Sequence, residues 1–134
     1  IWTETAVAPT PNVIQQLLKQ RDFRSRFLVN TRDGFLSVFA DDVAYFYSSQ
    51  KVTYLITKDN RLYSIDNTLE ELEHQLNPKL FFRANRQFIL CHTCIVSLKN
   101  YFNGKLKVLT TPASKEDIVV SREKTGSLKS WMNR

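Results

Sequence analysis

The sequence predicts a mostly β fold: antiparallel sheets forming an elongated sandwich around one small helix, with a short linker helix at the N-terminus. Three observations carry this. From Arg26 onward, short apolar runs are broken at regular spacing by turn residues, the pattern of an antiparallel sandwich. One stretch in that region, after Asn67, changes to helical period behind a capping box. A second helical stretch lies ahead of the strands, at residues 11–20. The 134 residues suffice for one domain with its own core.

In chain order, residues 1–10 are polar and proline-containing and read as a flexible lead-in. Pro11–Gln20 places Val13, Ile14, Leu17 and Leu18 at helical spacing, with Pro11 suited to a first turn. Residues 1–25 thus form a linker and residues 26–134 the domain. Arg26–Thr31 is the first strand, closed by Arg32-Asp33-Gly34. Strands follow at Phe35–Phe39, Val43–Tyr47, Val52–Thr57 and Leu62–Ile65, separated by polar turns. Thr68 and Glu71 have capping-box spacing, Leu69, Leu72 and Leu76 share a face, and Asn77-Pro78 stops the helix. Leu80–Ala84, Phe88–Cys91 and Ile95–Leu98 resume the strands. Tyr101–Leu109 reads as a hairpin around Asn103-Gly104, the strongest short turn signal in the chain. Ile118–Val120 is the last strand, and Ser121 is placed to cap a short final helix through Leu128 and Trp131.

Composition excludes several classes. With 43% hydrophobic and 12% aromatic residues the chain is globular, neither disordered nor repetitive. No apolar run is long enough to span a bilayer, and Ile1-Trp2-Thr3-Glu4 lacks the start of a signal peptide, so no membrane partner is expected. That terminus reads as a cut from a longer protein. Three glycines leave no room for a glycine-rich phosphate loop. Cys91 and Cys94 are too few for a disulfide scaffold or a four-ligand zinc site, and read as structural cysteines of a protein in the reducing cytoplasm. His74 and His92 are far apart and lack a spaced carboxylate, and no nucleophile–base pair stands out. The expectation is a binding module without catalytic residues, metal or cofactor.

Charge is unevenly spread. Residues 1–78 hold 8 basic and 10 acidic side chains, and residues 79–134 hold 11 basic and 3 acidic. A basic half beside a near-neutral half suits a polyanion. Three polar connections are rich in groove-reading residue types: Ser48–Tyr54, the Arg83–Gln87 run, and Ser121–Lys124. Arginine can donate twice to guanine, Asn and Gln can pair with adenine, and Lys or hydroxyl groups hold phosphates. Composition equally suits three ordinary solvated connections. It also leaves open a protein-interaction module, engaged through the 11–20 helix or a strand edge, and a single-stranded nucleic-acid binder using exposed aromatics. Core packing is the expected role of most strand aromatics: Tyr45, Phe46, Tyr47, Phe81, Phe82 and Phe88.

Motif order over residues 26–132 resembles the LytTR family of DNA-binding domains. Phe81-Phe82-Arg83-Ala84-Asn85-Arg86-Gln87-Phe88-Ile89 is similar to the family's Phe-x-Arg-x-x-Arg signature. Around it stand the Thr68–Pro78 helix with its Asn-Pro stop, the Tyr101–Lys105 hairpin, and Val120-Ser121-Arg122 with a closing Lys129-Ser130-Trp131. The resemblance implies a transcription-regulating output domain of a bacterial two-component response regulator. Its loops enter successive major grooves of duplex promoter DNA at paired direct repeats, downstream of a receiver domain and with dimer formation on DNA. By position, it implies base contact by Arg86 first and Arg122 second, base or phosphate contact by Lys51 and Thr53, and phosphate contact by Lys124. Asn85 and Gln87 flank Arg86, either reading bases or buttressing it. Alternation places Arg83 opposite Phe82, as a structural ion-pair residue. Cys91-His92-Thr93-Cys94 departs from the family's usual polar stretch.

Overall fold

Period-two burial builds the sheet from its first strand. In β1 (Arg26–Asn30) Phe27 and Val29 are buried while Arg26 and Leu28 face outward. A computed structural model describes residues 23–133; the expected Pro11–Gln20 helix lies outside the described residues. β2 (Phe35–Phe39), β3 (Val43–Ser49), β4 (Val52–Thr57) and β5 (Leu62–Ile65) follow, then α1 (Leu69–Gln75), β6 (Phe81–Arg83) and β7 (Phe88–Cys91). The rest is β8 (Ile95–Asn100), β9 (Leu106–Thr110), β10 (Ile118–Val120) and α2 (Arg122–Met132).

The strands form two antiparallel sheets: seven strands in the order β2-β1-β5-β4-β3-β7-β6, and three in the order β10-β9-β8. Register decides which side chains share a face. Phe46 pairs with Leu55 and Ile89, and Phe27 with Val38, so these lie on the side that α1 covers with Leu69 and Leu72. Phe27 meets Phe46 edge-on, with ring centroids 5.2 Å apart. Tyr45, Tyr47, Tyr54, Ile56 and Phe88 share the opposite face. Toward β2 that face is bare, with Leu28, Phe35 and Phe39 exposed. Buried residues of both sheets and both helices fall in one cluster. Among the described residues no helix is long and apolar enough to cross a membrane.

Local chemistry sets the boundaries. The Thr68 capping box is formed: Glu71 N–H donates to Thr68 Oγ1 at 3.1 Å, and Thr68 N–H to Glu71 Oε1 at 2.8 Å. The stretch read as a polar loop from Ser48 is instead a hairpin whose turn is Gln50-Lys51 alone, both with positive φ (50° and 67°). Such a tight turn matches strand twist and lets Ser48, Ser49, Val52 and Thr53 pair. Asn103 and Gly104 also have positive φ (61° and 74°), but their hairpin arms begin at Ile95, earlier than the pattern predicts. α2 is an 11-residue helix behind Ser121, whose side chain makes no capping bond. Its Trp131 Nε1–H donates to Pro78 O at 2.7 Å, and the Trp131 ring packs on Phe82 with centroids 5.3 Å apart. Cys91 and Cys94 are buried free thiols flanking a single tight turn.

Arg83 braces α1 to β6. Its guanidinium meets Glu73 at 2.9 Å and Glu70 at 3.0 Å, and its side chain is only 12% exposed. This confirms the expected ion-pair role. The Glu70 carboxyl is held below its ordinary value of 4.5, first by the Arg83 hydrogen bond and then by a local backbone bond. A lowered folded pKa stabilises the fold above the ordinary value, and the gain is lost as pH falls through the lowered one. Glu70→Gln is therefore expected to flatten the loss of stability below pH 4.5, read as urea midpoint against pH for both proteins. Leu72 of α1 is fully buried. Leu72→Ala is expected to destabilise the domain by about 2–5 kcal/mol in chemical denaturation, the range for a cavity of that size in a packed core.

Candidate nucleic-acid interface

Hydrogen bonds gather three connections at one end of the larger sheet. Ser48 N–H donates to Gln87 O at 2.8 Å, setting the 84–87 turn beside the end of β3 and its Gln50-Lys51 turn. Asn85 Nδ2–H donates to Val119 O at 2.9 Å, tying that turn to β10 just before Ser121-Arg122. Asn85 Oδ1 accepts from the N–H groups of Gln87 (2.8 Å) and Phe88 (3.0 Å), which fixes the turn from within. From the other side, Arg83 Nε–H donates to Asn85 O at 2.6 Å and Arg83 Nη2–H to Arg86 O at 3.1 Å.

The seven expected contact residues separate into two groups. Arg86, Gln87, Lys51 and Arg122 are exposed and available to a ligand. Asn85, Thr53 and Lys124 are engaged within the fold. Asn85 buttresses the turn, which is one of its two anticipated roles. Thr53 is 6% exposed in β4, on the side covered by α1, so its hydroxyl is withdrawn from solvent. Lys124 is half-buried: its Nζ donates to Arg83 O at 2.8 Å and lies 5.8 Å from the centre of the Phe82 ring. Helical period puts Lys124 on the face of α2 that packs on β6, where its stem covers apolar surface.

Arg122 owes its seat to a glycine. A Cβ on Gly104 would stand 2.7 Å from Arg122 Cδ, so the aliphatic stem lies against bare backbone. This contact brings the Asn103-Gly104 hairpin into the site. With it comes Lys105, a basic residue that sequence reasoning did not single out. Lys105 lines an open groove of about 490 Å³ with Arg83, Asn85, Arg86, Lys124 and Glu73. The Asn-Gly turn signals a hairpin, but nothing local in sequence places residue 105 beside residue 86. That proximity arises because β9 pairs with β10, and β10 is bonded to Asn85. Glu73 is the acid of the groove and is already paired with Arg83. The arrangement presents fixed cationic and amide donors around a shallow concavity, suited to phosphate and base-edge acceptors.

Residues 33–133 match the family model of the LytTr DNA-binding domain. Among curated proteins, the Sensory transduction protein LytT of Enterococcus faecalis (strain ATCC 700802 / V583) is 32% identical over 94 residues. The match covers 70% of this chain and 38% of that relative's length. Among solved structures, the LytTr DNA-binding domain of a Bacillus cereus protein superposes with a TM-score of 0.72 at 21% identity, over 83% of this chain and 99% of that one. The likeness to that structure is one of fold. With its family model matched from residue 33 to residue 133, the chain belongs to the LytTr DNA-binding domain family.

Proposed function

We propose that this domain is the output half of a bacterial two-component response regulator, reading duplex promoter DNA through loop side chains in the major groove. The observation that carries the reading is the exposure of Arg86, Gln87, Lys51 and Arg122 on connections that are hydrogen-bonded to one another. Arg86 and Arg122 are the base readers, since a guanidinium can donate twice to guanine. Lys51 and Lys105 are the phosphate contacts, and Gln87 supplies an amide beside Arg86. Asn85 and Lys124 act through the shape of the turn. Two copies occupy paired direct repeats, in the cytoplasm, under a receiver domain elsewhere in the full protein. The chain's span of 38% of its curated relative leaves room there for such a partner. Binding alone, without catalysis or cofactor, accounts for the site.

Selection from a random duplex pool followed by sequencing of the bound fraction is expected to return a paired direct repeat. On that sequence, Arg86→Ala and Arg122→Ala are each expected to weaken binding by about 1–3 kcal/mol in anisotropy titrations and to flatten preference at one base position. Unchanged affinity in both variants, or tighter binding to the single strand than to the duplex, would refute the reading. Lys51→Ala is expected to act differently. It should weaken binding evenly across sequences and reduce the slope of log affinity against log salt by about 1.

A further inference from the structure

The face of the larger sheet opposite α1 carries a second concavity, distinct from the basic groove. It is a cavity of about 660 Å³ between Tyr45, Tyr47, Tyr54 and Phe88 on the strands and residues 113–116 of the β9–β10 connection. Its volume falls within the roughly 300–1,000 Å³ typical of small-molecule sites. The walls are aromatic. Tyr47 and Tyr54 lie nearly parallel, at 23° with centroids 6.2 Å apart, and Tyr47 lies 4.8 Å from Phe88. At the mouth stand Lys115 and Glu116, beside the small Ala113 and Ser114.

The two inner tyrosine hydroxyls differ. That of Tyr47 belongs to a half-buried side chain that shares the cavity wall with Ser49 and Glu116. That of Tyr45 has no hydrogen-bond partner among the described residues, although the residue is only 5% exposed. A buried hydroxyl without a partner is uncommon and costly. Burial, with a smaller contribution from Tyr47, raises the Tyr45 pKa above 10.0, so the group remains an O–H donor at neutral pH.

We propose that this cavity binds a small planar aromatic molecule carrying a hydrogen-bond acceptor, with the ring among the tyrosines and the acceptor on the Tyr45 hydroxyl. The aromatic walls favour offset or edge-on ring packing. The unsatisfied donor favours a carbonyl or ring nitrogen over a hydrocarbon of the same shape. The cavity reaches Ser49 beside the Gln50-Lys51 turn, but ligand binding there is read without DNA and so does not depend on the function of the loops.

A matched pair of probes tests this on the whole 134-residue chain: acetophenone, which has a carbonyl, and ethylbenzene, which has nearly its shape and no acceptor. Both are titrated against the ¹⁵N-labelled protein. The expected result is saturable amide shifts confined to residues 45–62, 88 and 113–116, with acetophenone bound about tenfold more tightly. Tyr45→Phe should abolish that preference while leaving ethylbenzene binding unchanged. Ala113→Trp, at the exposed rim, should block both probes, and it tests the site even if the Tyr45 variant does not fold. Absence of saturable shifts would overturn the proposal. So would shifts outside the cavity, or a preference for acetophenone that survives Tyr45→Phe; water alone would then be the occupant.

Discussion

The basic, loop-bearing end of this domain depends on one guanidinium. Arg83 holds Glu70 and Glu73 of α1, donates to the carbonyls of Asn85 and Arg86, and offers its own carbonyl to Lys124 of α2. A planar fork with several fixed donors can serve a helix and a turn at once, which a single ammonium cannot. At 12% exposure the charge has lost most of its water, so the carboxylates and carbonyls must replace it. The turn that carries Arg86 is therefore not a free loop. It is tied through Arg83 to α1, β6 and α2.

The same contacts shape the electrostatics. Glu70 and Glu73 stand near the groove and would repel a polyanion if left unpaired. Arg83 answers both, and the remaining cations of that region, Arg86, Lys105 and Arg122, face outward or into the groove. Two turns with positive φ complete the surface. Gln50-Lys51 projects a lysine from a tight hairpin, and Gly104 leaves the space in which the Arg122 stem lies. Each is a backbone choice whose result is the position of a charge.

The fold was largely legible because its signals are local. Gly34, Asn60 and the Asn103-Gly104 pair mark turns, and the five strands from Arg26 to Ile65 fall within two residues of their expected limits. The Thr68–Glu71 spacing describes a bond pair inside a single helical turn, so sequence alone suffices to see it. Ser48 and Ser49 misled because serine is polar enough to resemble a loop, yet their backbones pair as well as any when the turn is tight. The site was legible in its residue types but not in their roles. Whether Thr53 faces solvent depends on strand register, and whether Lys124 is free depends on which side of α2 meets β6. Both are long-range facts, as is the approach of Lys105 to Arg86 through β9 and β10.

The engaged and the exposed polar residues of the site form one device. Asn85 and Lys124 have the chemistry to read a base or hold a phosphate, but their donors are committed to Val119 O and Arg83 O. Those bonds fix the backbone from which Arg86 and Gln87 project. A flexible arginine spends binding energy on ordering itself, whereas one on a fixed turn has that cost met during folding. Under the proposed DNA-reading role, removing Asn85 would thus weaken recognition without removing any contact to the ligand, because two backbone N–H groups and a β10 carbonyl would lose their partner together. In that role, specificity would rest as much on the hydrogen bonds that face inward as on the side chains that face out.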